Sequence, residues 1–422
     1  MSSHTVYVGM IGDLLHAGHL SVLEKARQLG RVIVGVLTDQ AVVSSNGLAL
    51  SSFAARKALV ESVSGVSMVV PQETHSYRQN LERYRPAYLV HGDDWRNGSQ
   101  AAVRQEAIKV LSEWGGELVE VPCTAELRED GPSSRFGAQR FRRLLEAKRL
   151  LRIIEVHDAV SARIAEHATA SGRAFDGFWS SSLIDSTVRG RPDIEVVDLK
   201  SRLDLLEEIM DCTSKPIIYD GDSGGNLDQA FYLARTLSRA GVAALCVEDK
   251  AGRKRNSLYG NTAKSTQTSI KEFCERLRAV KGGVGASQLV VIARIESLVL
   301  YSDCDQAMER ALAYCEAGAD AILIHSVADS PREILEFSRR FRAVKPLVPL
   351  IAVPTAFDDV TASELEVNAF NVVIYANHLM RAASSAMTRA ANDILAGDRG
   401  GAIRQYSATP KELLSFFPEP DF

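Results

Sequence analysis

The chain has 422 residues, 46% hydrophobic and 24% charged, with a formal net charge of −4. That length exceeds one ordinary core and the composition is that of a globular protein, so two domains are expected. The slight negative charge argues against a nucleic-acid partner, no apolar run reaches the ~18 residues of a membrane span, and the start "MSSHTVYVGM" has no secretion pattern; six cysteines without a pairing pattern read as reduced thiols of a cytoplasmic protein.

In chain order, "TVYVGM", "RVIVGVLT", "VSMVV", "AYLVHG" and "GELVEVP" read as five short strands, with helical stretches such as "HLSVLEKARQLG" between them. This alternation predicts a Rossmann-like, doubly wound parallel sheet with ligands at the carboxyl ends of its strands. The first strand runs into "GMIGDLLHAGH". His16 and His19 are three residues apart and so share a face at the start of a helix. Gly18 lets a backbone approach closely, and a helix N-terminus offers free N–H groups to phosphate. Two imidazoles there suit a triphosphate whose charge must be held during nucleotidyl transfer. Two capping histidines on a solvated turn would leave the same trace.

"GDLLHAGH" resembles the signature of the nucleotidyltransferases that include the cytidylyltransferases. "SFAARKALVESVSGVSMVVPQET" looks like their arginine helix and following strand, "LVHGDDW" like the stretch lining the nucleoside pocket, and "REDGPSS" falls at a late phosphate-contacting segment. The likeness covers roughly residues 5 to 135 and is strongest to phosphonate cytidylyltransferases, which join CMP from CTP to 2-aminoethylphosphonate or 2-hydroxyethylphosphonate. It implies catalytic roles for His16 and His19, with Asp13 beside them. It also implies a nucleotide site shaped by Gly18, Asp93 and Trp95, with Arg56 oriented near the phosphates and Ser133 and Ser134 touching them. One departure stands out: "SSNGL" places Asn46 where the family has a lysine, so an amide replaces a full positive charge. This leaves open a domain that is slow, altered in specificity, or a nucleotide binder without turnover.

After the polar bridge "AELREDGPSSRFGAQR" come eight apolar runs: "RIIEVH", "FDGFWSSS", "PIIYDGD", "AALCVED", "LVVIARIE", "AILIHS", "LIAVP" and "NVVIYAN". Each is followed by a plausible helix, which predicts a (β/α)8 TIM barrel. The expected domains are 1–134 and 135–422. Nearly every run ends in a polar or ionisable group: His157, Trp179, Asp220 and Asp222, Glu248 and Asp249, Arg294, His325, Asn377. In a TIM barrel these ends form the active-site face. Asp220, Asp222 and Glu248 supply hard oxygen ligands suited to Mg²⁺, with Asp222 favoured as the direct ligand. The fourth run continues into "EDKAGRKRNSLYG", either a solvated loop or a mobile lid that brings cations and an amide over an anionic substrate.

"FWSSSL", "DGD", "VEDKAGRKRNS", "ARIE" and "LIHS", in this order, resemble the phosphoenolpyruvate mutase branch of the isocitrate lyase superfamily, over about residues 140 to 400. Lyases of that superfamily carry a cysteine in the lid; here "KRNS" looks like the mutase's Lys-x-Asn-Ser. The resemblance implies a lid of Lys254, Asn256 and Ser257, Arg294 and His325 on a phosphoryl group, and Asp193 of "GRPD" as a further functional aspartate. Backbone N–H groups at Ser181 and Ser182 would hold the substrate carboxylate beside Leu183, with Trp179 against the pyruvyl group. Together the two resemblances imply a bifunctional enzyme of phosphonate and antibiotic biosynthesis, similar to the fused enzymes of fosfomycin-type pathways. Its substrates would be small molecules and its barrel a dimer or tetramer. The alternative is a phosphonopyruvate hydrolase barrel with a non-catalytic nucleotide-binding first domain.

Overall fold

The computed structural model describes residues 4–417 except 14, 16, 45–48, 50, 97–99, 123–136, 259–265 and 286–288. The chain divides into two compact units, Met1–Gly131 and Pro132–Phe422. Among the described residues no helix is long and apolar enough to cross a membrane.

The first unit is a five-stranded parallel sheet in the order β3-β2-β1-β4-β5, with β1 Thr5–Met10, β2 Arg31–Leu37, β3 Val66–Gln72, β4 Tyr88–Gly92 and β5 Glu117–Val121. Side chains alternate across a strand. Val6, Val8 and Met10 therefore pack on one face with Leu23, Ala26 and Val60, while Tyr7 faces the other cluster with Leu81, Leu89 and Val110. Strand order reverses beside β1, which opens a crevice at its carboxyl end. The chain leaves β1 through Gly12, whose φ of +73° suits glycine, and enters the helix Ala17–Leu29.

The second unit is a closed barrel of eight parallel strands. They are β6 Leu151–Glu155, β7 Gly177–Ser180, β8 Ile217–Asp220, β9 Ala244–Glu248, β10 Val290–Ile295, β11 Ala321–Ile324, β12 Leu350–Ala352 and β13 Val372–Tyr375. Each strand pairs with the next, and β13 closes on β6 through Val372↔Leu151 to Tyr375↔Ile154. Burial on both faces explains why these strands read as continuous apolar runs rather than alternating ones. The expected runs overshoot the strands. "PIIYDGD" is strand only to Asp220, and Asp222 lies in the turn beyond it at φ +52°. That overshoot is what sets the acidic residues on the rim.

Candidate active site

At the carboxyl ends of the barrel strands lies a pocket lined by Trp179, Ser181, Ser182, Leu183, Asp193, Asp220, Glu248, Lys254, Asn256, Ser257, Arg294 and His325, among others. Every residue that the resemblance implied for the barrel site lines it except Asp222, whose N–H donates to Asp220 Oδ1 at 3.3 Å; the strand-end His157 and Asp249 also lie outside it.

Three groups organise the pocket. The first is acidic. Asp220 accepts from the Ser182 hydroxyl at 2.8 Å and from the Ser182 N–H at 3.3 Å. The Ser182 N–H, expected as a seat for a substrate carboxylate, faces Asp220 in this structure, and Ser182 lines the pocket. Ser181 instead caps the helix Ser182–Val188, its hydroxyl accepting from the Ile184 N–H. Gly221 separates the two aspartates because a Cβ there would lie 2.5 Å from the Leu245 side chain. Burial disfavours charge on all three acids. At Asp220 the Lys254 ammonium and the Arg294 and Arg202 guanidiniums outweigh it and hold the carboxyl below its ordinary range. At Asp222 burial wins, with Asp220's charge adding to it, and the carboxyl is pushed up. Glu248 is pushed up to about 7 by burial, with Lys250 and Arg294 opposing.

The second group is the segment 250–258, which the sequence left open as a solvated loop or a lid. It is rooted in a two-residue antiparallel ladder, Lys250–Ala251 against Thr266–Gln267, which the sequence pattern did not reveal. Lys254 is buried, donating to Asp193 Oδ1 and Ser182 Oγ at 2.6 Å each and contacting Asp222. Asn256 donates to the other oxygen of Asp193 at 2.7 Å. Burial would depress the Lys254 pKa, but Asp222, Asp220, Glu248 and Asp193 outweigh it and raise it. Asp193 thus pins both lid side chains.

The third group is a buried network at the ends of β9, β10 and β11. Arg294 donates to Ser257 Oγ at 2.7 Å and to Glu296, and lies 3.1 Å from His325 Nδ1. Ser257 donates to Glu296 at 2.8 Å, and Lys250 donates to Ser257 and to the Arg255 carbonyl. Burial opposes the Glu296 charge, but Arg294, Lys250 and His325 hold it well below the carboxylate range. Burial and then Arg294 push His325 down, which favours a neutral imidazole. Glu296 and Lys250 were missed by sequence reasoning. Glu296 closes the run "ARIE", so its strand-end place could have flagged it; Lys250 looked like part of a solvated charge run.

Among the described residues no group of three or more His, Cys, Asp or Glu side chains is arranged to hold a metal ion. The Lys254 ammonium takes an oxygen of Asp222. The donor chemistry nevertheless fits a hard divalent cation, because Asp220, Asp222 and Glu248 are oxygen donors and Glu248 Oε1 is buried with no hydrogen-bond partner.

In the first unit, Gly18 and His19 sit in the first turn of the helix Ala17–Leu29 beyond β1. Asp13 accepts from the Ser51 N–H at 2.8 Å. His16, Ser133, Ser134 and the departure at Asn46 lie outside the described residues. Asp93 opens the short helix Asp93–Arg96 after β4. One expectation is corrected. Arg56 is fully buried, with its donors on the carbonyls of Ile11 and Ser51 and on Asp39 at 2.8 Å, so it braces the strand end and has no face for a phosphate. Trp95 is 1% exposed, donates to Glu120 and stacks on His91 at 3.8 Å.

A family model described as phosphoenolpyruvate phosphomutase matches residues 141–395, and one described as cytidylyltransferase-like matches residues 11–157. A phosphoenolpyruvate phosphomutase of Streptomyces hygroscopicus is 35% identical over 68% of this chain and 90% of its own. A phosphonopyruvate hydrolase of Variovorax sp. (strain Pal2) is 34% identical over 64% of this chain and 90% of its own. Among solved structures, phosphoenolpyruvate phosphomutase from Streptomyces platensis subsp. rosaceus aligns with a TM-score of 0.61 at 33% identity, covering 68% of this chain and 94% of that one. Phosphonopyruvate hydrolase in complex with oxalate and Mg²⁺ aligns with a TM-score of 0.59 at 31% identity, covering 66% and 94%.

Proposed function

Because the chain belongs to the phosphoenolpyruvate phosphomutase family and also carries a cytidylyltransferase-like domain, we propose that its barrel interconverts phosphoenolpyruvate and phosphonopyruvate. The observation that carries this reading is the seating of Lys254 and Asn256 together on Asp193, over the pocket that also holds Arg294 and His325. In the proposed reaction the P–C bond of phosphonopyruvate breaks, leaving an enolate, and the phosphoryl group passes to the enolate oxygen. Arg294 and His325 hold the phosphoryl group by charge-assisted and neutral hydrogen bonds. Ser181, Leu183 and Trp179 shape the seat of the pyruvyl group and its carboxylate. The lid residues Lys254, Asn256 and Ser257 meet the phosphoryl oxygens and exclude water that would trap the intermediate. Asp220, Asp222 and Glu248 would hold Mg²⁺, which supplies positive charge to the enolate.

The hydrolase reading is favoured by one observation, the 34% identity to a phosphonopyruvate hydrolase. The two differ in whether water reaches the phosphoryl group. Incubation of the chain with phosphonopyruvate and Mg²⁺, followed by ³¹P NMR, separates them: phosphoenolpyruvate supports the mutase, whereas pyruvate with free phosphate as main product makes the barrel a hydrolase.

For the first domain the proposal is transfer of CMP from CTP to a phosphonate such as 2-hydroxyethylphosphonate, with His16, Gly18 and His19 at the phosphates, Ser133 and Ser134 contacting them, and Asp13 and Asp93 flanking. The support is the cytidylyltransferase-like match and the placing of Gly18 and His19 at a helix start beyond β1. CTP, Mg²⁺ and a panel of phosphonates, read by ³¹P NMR, test it. The product would be a CMP–phosphonate anhydride, formed as the phosphonate oxygen displaces pyrophosphate from the α-phosphorus; nucleotide binding without that anhydride would make the domain a binding module, as Asn46 allows. The proposed oligomer is supported by the helix His378–Gly397, which has no buried residue and leaves Met387 and Leu395 exposed. Native mass spectrometry that found only monomer would remove it.

A further inference from the structure

Arg202 is a buried arginine on the helix Leu199–Met210, outside every motif read from the sequence. Its guanidinium lies 4.2 Å over the Tyr219 ring and makes three directed contacts. Nε donates to Asp185 Oδ2 at 2.9 Å, Nη2 donates to the Asp220 carbonyl at 2.8 Å, and Nη1 pairs with Asp222 Oδ2 at 3.4 Å. One planar group therefore grips both ends of the "DGD" turn. It also ties that turn to the helix Ser182–Val188, where Asp185 is held from its other oxygen by Arg189.

This turn needs a brace. Asp222 adopts φ +52°, a left-handed conformation that an aspartate tolerates but does not prefer. Its carboxylate sits between Lys254 on Oδ1 and Arg202 on Oδ2, with Asp220 adjacent. Lys254 comes from the segment 250–258 after β9, whereas Arg202 is rooted in a barrel helix. The second contact therefore ties Asp222 to regular secondary structure of the barrel.

We propose that Arg202 is a positioning residue that fixes the orientation of the Asp222 carboxylate toward a divalent cation, using Asp185 as its anchor. This rests on the reading of Asp222 as a cation ligand. Two effects oppose each other. Removing a guanidinium beside the acids relieves electrostatic competition and would tighten cation binding. Losing the brace lets Asp222 rotate and weakens binding, and groups that orient a ligand typically contribute 10–100-fold in affinity. The three-point grip and the left-handed backbone make orientation the larger effect.

The test is titration of the full chain with Mn²⁺, counting free ion by electron paramagnetic resonance. Arg202→Met is expected to raise the Mn²⁺ Kd by about 10–100-fold, with Arg202→Lys in between because it restores charge without the fork. Asp185→Asn, which leaves Arg202 in place but loosens its anchor, is expected to weaken binding several-fold and serves if Arg202→Met does not fold. In turnover assays the Mg²⁺ requirement of these variants should rise more than kcat falls. Mn²⁺ binding within twofold of the parent, or tighter, in both Arg202→Met and Asp185→Asn overturns the inference, whatever their melting temperatures. Asp222→Asn is the control. If it too binds Mn²⁺ like the parent, the cation reading of Asp222 itself fails, whereas loss of binding there with normal Arg202 variants sinks only the role of Arg202.

Discussion

Asp222 illustrates how a single residue can be legible in kind and illegible in place. A carboxylate beyond a strand end is readable from "DGD", but its left-handed backbone and its absence from the pocket lining are not. The same conformation decides which variant tests it. Asp222→Asn keeps a side chain that tolerates positive φ, while alanine adds backbone strain to the loss of charge. Asp222→Asn is expected to bring turnover to background with a melting temperature close to the parent's; substantial turnover would remove Asp222 from the site. Arg56 shows the opposite error. A helix arginine beside a phosphate motif reads as a ligand contact, yet its guanidinium is consumed by Ile11, Ser51 and Asp39. Arg56→Ala should cost the first unit roughly 1–3 kcal/mol through unsatisfied buried acceptors, measured by denaturant unfolding, and an unchanged midpoint would refute that bracing role. His157 offers a pH test. Burial lowers its pKa, but Glu155 Oε1 at 2.7 Å from Nδ1 outweighs this and raises it. The protonated ring therefore favours the folded state. Its contribution is complete below the unfolded value of about 6.5 and is lost as pH rises through the higher folded value. Between about pH 6 and pH 8 the parent's melting temperature should fall more than that of His157→Gln, and parallel falls would contradict it.

At the scale of the element, the lid shows why a charge run is hard to read. Lys254 is buried and Asn256 half-buried on Asp193, while Arg253 and Arg255 are exposed. In extended chain successive side chains face opposite ways. Four adjacent polar residues thus divide into an inward pair and an outward pair, a division that composition alone cannot show. Lys254→Ala and Asn256→Ala are expected to lower kcat by roughly 10²-fold or more, with KM changing far less, as for contacts made mainly in the transition state. Both variants should also release pyruvate and phosphate by admitting water. Arg253→Ala and Arg255→Ala should stay near the parent. Steady-state kinetics with product analysis checks all four, and equal behaviour across them would reduce the segment to solvated surface. The eight barrel strands were far easier to read, because burial on both faces demands unbroken apolar runs. The short ladder under the lid was not, since two-residue strands carry no periodicity.

At the scale of the molecule, the barrel was legible because eight βα units over about 250 residues describe a ring, and the structure closes it by pairing Val372 with Leu151, residues far apart in sequence. The register of that closing pair carries no local sequence signal. That closure bears on how the molecule can be cut. All eight strands, their cores and every residue lining the barrel-mouth pocket come after residue 137, and the last strand hydrogen-bonds to the first. Among the described residues, the hydrophobic clusters of the five-stranded sheet lie wholly before residue 122. A chain running from Arg135 to Phe422 is therefore expected to fold alone and to convert phosphonopyruvate to phosphoenolpyruvate with Mg²⁺ at a kcat within a few-fold of the full chain. CTP should leave that rate unchanged, because the proposed nucleotide site is absent from the fragment. A fragment that is well folded by circular dichroism yet inactive, while the full chain turns over, would mean that the first unit supplies part of the barrel's site.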